Sequence, residues 1–152
     1  MTINAQNRLL PDWFTRIRTR QLALPRFQRF EAWSHWNVTQ LFNTILQGLP
    51  AGAALILEIG NEEPFLSRTL VDGQQRLTAL WRGLHNNYDE RTYFLYLEPD
   101  DETGLPYYVD SKGRWRKAGD PRRRPLWVDD PVQQWANGMI PLDLFGKRRF
   151  PP

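Results

Sequence analysis

The residues with the most chemical potential are Asp72-Gly73-Gln74-Gln75-Arg76, lying within a longer stretch, residues 68–84, that reads RTLVDGQQRLTALWRGL. Thr69-Leu70-Val71 reads as a short apolar strand that turns at Asp72-Gly73. Beyond it Leu77, Leu80, Trp81 and Leu84 recur at i, i+3, i+4 and i+7, which predicts a helix over residues 73–87. Asp72 with Gln75 three residues on has the pattern of a capping box, in which the carboxylate accepts a first-turn N–H and the amide reaches back. A strand that feeds straight into a helix start offers exposed backbone donors and the positive end of the helix dipole, with Arg76 one turn in: an anion seat. The plainer reading is a capped helix packed on a sheet, and such helices far outnumber phosphate sites.

A second constellation lies upstream in Pro25-Arg26-Phe27-Gln28-Arg29-Phe30. Arg26 and Arg29 around Gln28 can set guanidinium forks beside a phosphate or base while Phe27 and Phe30 anchor the loop. Trp33 beside it is the candidate stacking platform. The alternative is an amphipathic loop with snorkelling arginines.

Other chemistries are excluded or ranked low. The absence of cysteine removes disulfides, thiolate metal sites and thiol nucleophiles. His35 and His85 stand far apart with no HExxH, G-x-S-x-G or Walker-type pattern, so both are expected on helix surfaces rather than as ligands. Glu98, Asp100, Asp101 and Glu102 form an acidic turn expected to be solvated, and no tightly bound metal or organic cofactor is expected.

These residues need a scaffold, and 152 residues with 41% hydrophobic content supply one ordinary core. The pattern predicts an α/β chain of small sheets and helices. A short helix is expected over residues 11–18 and a strand at 21–24 stopped by Pro25. Ser34 should cap a helix over 35–47 that ends at Gly48 and Pro50. Residues 53–59 read as a strand buried on both faces, and 92–97 as another strand. Residues 106–110 are expected to pair with a strand near 125–128. Asp130 should cap a helix over 131–137, and the apolar run 140–145 should dock. The expected organisation is a lead-in and short helix over 1–20, a core over 21–98 and a basic, loop-rich extension over 99–152. Its basic, Pro-ended finish is expected of a chain leading on to a further domain.

The net charge of +3 hides an uneven distribution. Lys112, Arg114, Arg116, Lys117, Arg122, Arg123 and Arg124 lie close together around Trp115 with Asp120 as the one acid among them, and Lys147, Arg148 and Arg149 follow later. Clustered cations with an aromatic suit a nucleic-acid backbone, so Arg114, Arg116, Lys117 and Arg122–Arg124 are the candidate DNA contacts; the alternative is a solvated loop. No apolar run is long enough to span a membrane and no leader pattern is present, so a cytoplasmic location with no membrane partner is expected.

The motif Asp72-Gly73-Gln74-Gln75-Arg76 with Leu77-Thr78-Ala79-Leu80 resembles the DGQQR signature of the N-terminal domain of GmrSD-type, modification-dependent restriction systems. Upstream, the run from Leu24-Pro25 through Phe27-Gln28-Arg29 to Trp33 is similar to that family's other hallmark, with Phe30 where a tyrosine is common. The resemblance is strong over residues 21–87. It implies a ParB/sulfiredoxin-like fold, a small mixed sheet flanked by helices, and a nucleotide-binding, NTP-hydrolysing regulatory domain of a phage-defence system. It further implies an NTP substrate with a divalent cation, Mg²⁺ or Ca²⁺, and DNA and an HNH-type nuclease domain or subunit as partners. On that basis Asp72 and Arg76 are the catalytic candidates. Gly73, Gln74 and Gln75, with Arg26, Gln28 and Arg29 from the facing loop, are the candidates for nucleotide or phosphate binding. Asp72 would cap the helix, orient Arg76, or help hold a divalent ion or water. The HNH histidines are absent from this chain, which leaves a non-catalytic DNA-binding or modification-sensing module as the alternative.

Overall fold

A computed structural model of the chain describes residues 6–23, 33–59, 67–114 and 127–146. They form a mixed α/β protein of five helices and five strands among the described residues. The chain divides into two units, one of Met1–Phe30 with Gly52–Gln74 and one of Glu31–Ala51 with Gln75–Pro152.

The first unit holds helix α1 (Leu10–Arg18), with Pro11 in its first turn, and strands β1 (Leu55–Ile59) and β2 (Ser67–Asp72). The strands pair antiparallel with a bulge between Leu55 and Ile56. Of the strand expected at residues 21–24, the described residues 21–23 form only a bridge at Ala23, whose N–H donates to Arg68 O at 2.8 Å and whose carbonyl accepts from Leu70 N at 3.0 Å. Leu70 is fully buried, whereas Leu55 and Leu57 are exposed. The apolar run around β1 is thus not buried on both faces. A two-stranded ribbon has one face for the core, and period-2 alternation sends Leu55 and Leu57 to the other.

The second unit is built on a three-stranded antiparallel sheet in the order β4 (Tyr108–Gly113), β3 (Arg91–Tyr96), β5 (Met139–Pro141). Here the expected pairing of residues 106–110 with 125–128 gives way: β4 pairs with β3 in a register that sets Tyr96 opposite Tyr108, and residues 127–129 form a 3-10 turn. The aromatic, β-branched run Thr92–Tyr96 is the strongest strand former in the region and takes the central place, with β5 on its other edge. Both faces of β3 are covered, so the neighbours Tyr93 and Phe94 are each buried. On one face Phe94, Tyr96, Met139 and Val128 form a small core with Tyr108 packed on it. On the other lies helix α2 (His35–Leu46), which presents Val38, Leu41 and Phe42 and reaches Tyr93 with the Phe42 ring at a centroid distance of 6.0 Å.

Helix α2 starts as its sequence prescribes. Asn37 N donates to Ser34 Oγ at 3.4 Å, and the Asn37 side chain returns to accept from Ser34 N at 3.1 Å. Helix α3 (Gln74–Leu84) buries Leu77, Ala79, Leu80 and Gly83. It stops before Asn86, whose left-handed φ of +51° suits asparagine. Helix α4 (Pro131–Ala136) is capped by Asp130, which accepts from Val132 N at 2.9 Å, and α5 (Asp143–Gly146) follows β5.

Candidate functional site

The signature spans the end of β2 and the start of α3. Asp72 closes the strand, Gly73 alone forms the turn, and Gln74 is the first helical residue. The residue immediately before the helix is therefore Gly73. The φ of Gly73 is +95°, a conformation open to glycine and costly for other residues. A Cβ there would also meet the Ala54 Cβ at 3.2 Å and its Cα at 3.3 Å. The fold itself thus demands this glycine: it lets a strand become a helix without a loop while another segment passes close by.

The side chains around the turn differ in setting. Asp72 is exposed, whereas Gln74, Gln75 and Arg76 are half-buried at the start of α3. Gln74 carries the one unusual feature. Its Oε1 is buried and has no hydrogen-bond partner among the described residues. A buried amide oxygen left so costs about 1–3 kcal/mol, and native proteins tolerate few of them. Arg26, Gln28 and Arg29, the other half of the expected site, lie outside the described residues. So do Arg116, Lys117 and Arg122–Arg124. Trp33 is half-buried at the position before the Ser34 cap.

Arg114 is the described member of the basic stretch's candidate DNA contacts. Half-buried, it donates through Nη1 to Tyr88 O at 3.3 Å, and its Nε lies 3.8 Å from Asp129 Oδ1. Lys112 is exposed, with its ammonium 5.8 Å from the centre of the Tyr96 ring. The acidic turn serves itself: Asp100 accepts from Glu102 N and Thr103 N and from the Thr103 hydroxyl. The Thr103 hydroxyl, foremost among these bonds, holds the Asp100 carboxyl below the ordinary carboxylate range.

Two polar arrangements escaped the sequence reading. His85, expected on a helix surface, sits exposed in the turn just past the end of α3, stacked on Trp81, and His35 is not a surface residue. It is half-buried, shares a 3.0 Å hydrogen bond between Nδ1 and the Tyr93 hydroxyl, and sits edge-on to Tyr88. Its spacing of three and seven from Val38 and Phe42 on the buried face of α2 was the available signal. The second is Tyr96. Its ring stacks on Tyr108 at 4.8 Å, yet its buried hydroxyl has no partner among the described residues. Burial first, and the nearby Asp110 carboxylate second, push this phenol's pKa well up, so it stays neutral.

The architecture and the strand–glycine–helix turn define a mixed α/β domain with a half-buried polar signature at its strand-to-helix junction. The family of GmrSD restriction endonuclease N-terminal domains matches residues 10–127, and the chain belongs to that family. No curated protein and no solved structure matches the chain. Membership makes this a domain of a restriction system. Among the described residues no helix is long and apolar enough to cross a membrane.

Proposed function

We propose that the chain is the nucleotide-binding, NTP-hydrolysing regulatory domain of a modification-dependent restriction system, with the site centred on residues 72–76. The observation that carries the reading is the orphaned Gln74 Oε1 inside the signature. A buried acceptor at the positive end of an eleven-residue helix is completed by a ligand that brings both a donor and negative charge. A nucleotide has hydroxyl and amino donors beside its phosphates. In this reading the N–H groups of Gln74 and Gln75 face phosphate, Arg76 neutralises charge that develops on it, and Asp72 orients Arg76 or a water. Arg26, Gln28 and Arg29 remain the further candidates for phosphate binding. In this reading Mg²⁺ or Ca²⁺ enters with the phosphates. The ParB/sulfiredoxin-like architecture and a cytoplasmic location belong to the same proposal.

Phosphate release and nucleotide binding, measured for each NTP with Mg²⁺ or Ca²⁺, test it. Hydrolysis is expected, falling about a hundredfold in Arg76→Ala with the fold intact by circular dichroism. A folded protein that neither binds nor hydrolyses any NTP overturns the reading. The cation density of residues 112–124 favours a second reading, a DNA-binding or modification-sensing module without catalysis. DNA affinity should then fall steeply with salt, and charge reversal at Arg122–Arg124 should weaken it across sequences.

A further inference from the structure

The hairpin of β3 and β4 ends at the pair Tyr96 and Tyr108, and its connection carries Glu98, Asp100, Asp101 and Glu102. Phe94 stands opposite Asp110 as Tyr96 stands opposite Tyr108, and strand alternation therefore puts Asp110 on the same side of the sheet as both tyrosines. The two rings stack at 4.8 Å with their planes 5° apart. Tyr96 is only 5% exposed, and its buried hydroxyl has no hydrogen-bond partner among the described residues. Tyr108 is half-buried, and Leu97, Glu98 and Tyr107 beside the pair are exposed.

The charge at this end is negative. Burial first, and then the carboxylates of Glu98, Asp100, Asp110 and Asp101, push the pKa of Tyr108 up. Asp110 Oδ1 accepts from Ser111 N at 2.7 Å, and neither Asp110 nor Glu98 joins an ion pair among the described residues. Lys112, further along β4, brings its ammonium to 5.8 Å from the Tyr96 ring centre, the outer range of a cation–π contact. A phosphate backbone would be repelled here, which argues against nucleic acid. The complement is a cation with N–H donors: the hydroxyl oxygen and the carboxylates accept, and the rings offer a negative face. Stacked rings offer a hard metal ion little, and an ammonium is strongly hydrated and has no flat face. A guanidinium is planar, weakly hydrated and forked, so it can lie on a ring while it donates sideways.

We propose that this end of the β3–β4 hairpin is a guanidinium site. The guanidinium stacks on Tyr108 and donates to Asp110 and to the Tyr96 hydroxyl, with Glu98 adding negative charge. Because that hydroxyl is covered in the free chain, uptake parts the side chains at the hairpin end. An arginine side chain of a protein segment and a free guanidinium compound share this chemistry. The inference is independent of nucleotide hydrolysis and of DNA binding.

The test titrates the full, isotope-labelled chain, without nucleotide or DNA, with a short Gly/Ser peptide bearing one central arginine, and follows backbone amides by NMR. Saturable shifts centred on residues 96–112 are expected, weakened by rising salt. Citrulline in place of the arginine keeps the shape without the charge and should weaken binding about tenfold or more, and lysine should also bind less well. Asp110→Asn should weaken it about tenfold and Tyr96→Phe about fivefold. Asp12→Asn, the same change of charge on α1 in the other unit, should leave it unchanged. Melting curves show whether each variant is folded. N-acetylarginine amide, titrated alongside, separates the sources: tighter binding by the peptide assigns the site to a protein segment, and equal binding assigns it to a free guanidinium compound. A folded chain that responds to neither overturns the proposal and leaves a bound water as the partner of the Tyr96 hydroxyl. Equal binding of the lysine or citrulline peptide overturns it, as does undiminished binding by folded Asp110→Asn or Tyr96→Phe.

Discussion

Tyr93 and Tyr96 lie three residues apart on β3, both buried, and the same substitution should act on them in opposite directions. Tyr93→Phe removes the hydroxyl that His35 Nδ1 meets at 3.0 Å and should cost about 1 kcal/mol. Tyr96→Phe removes a buried hydroxyl with no partner among the described residues, and should leave stability unchanged or raise it slightly. Urea unfolding of the two variants side by side checks the sign. Gly73→Ala should destabilise by about 1–3 kcal/mol, because its φ of +95° and the close Ala54 both oppose a Cβ. At Asp100 the lowered folded pKa gives a contribution that is present above the unfolded value and lost as pH falls below it through the folded value. Following that carboxyl by NMR, Thr103→Val should return its titration towards the ordinary carboxylate value of about 3.9.

Among the elements, local signals predicted best where a side chain fixes a backbone group. Ser34 and Asp130 cap the helices expected of them, and α1 and β3 fall within a residue or so of their expected bounds. Partner choice was not legible. Asp110, Ser111 and Lys112 lack the β-branched character that marks a strand, and become one only by pairing with β3. Strand β5 is three residues with a proline, too short for any pattern. Of the site, the signature was readable because cap, turn and helix are local. The orphaned Gln74 oxygen was not, since burial of one atom depends on packing. Asn43 shows the same limit. Its Nδ2 donates to Val109 O at 3.0 Å and its Oδ1 accepts from Val109 N at 2.7 Å, so an amide on α2 completes the outer edge of β4. Asn43→Ala leaves both backbone groups unpaired and should cost about 1–3 kcal/mol, read by denaturant unfolding and by faster amide exchange at Val109.

For the whole molecule, close helix contact limits what the second unit can accommodate. A Cβ at Gly83 would come within 2.6 Å of the buried Phe42 ring, so Gly83→Val should lower the melting temperature by several degrees. The loss should be smaller in combination with Phe42→Leu, which makes room; a double-mutant cycle checks this coupling.

The division of the chain into interleaved segments also bears on its synthesis. Neither unit is one continuous stretch, so no single cut releases either of them whole. Asn43 waits for a strand residue 66 positions later, roughly 3 to 13 s at ordinary translation rates of about 5–20 residues per second. Until β3 emerges within that interval the apolar side of α2 has no sheet residue to meet, and until β4 follows the sheet is incomplete. The nascent chain is therefore most open to chaperone capture between the emergence of α2 and that of β4, and slowing translation across this interval should lengthen the exposure.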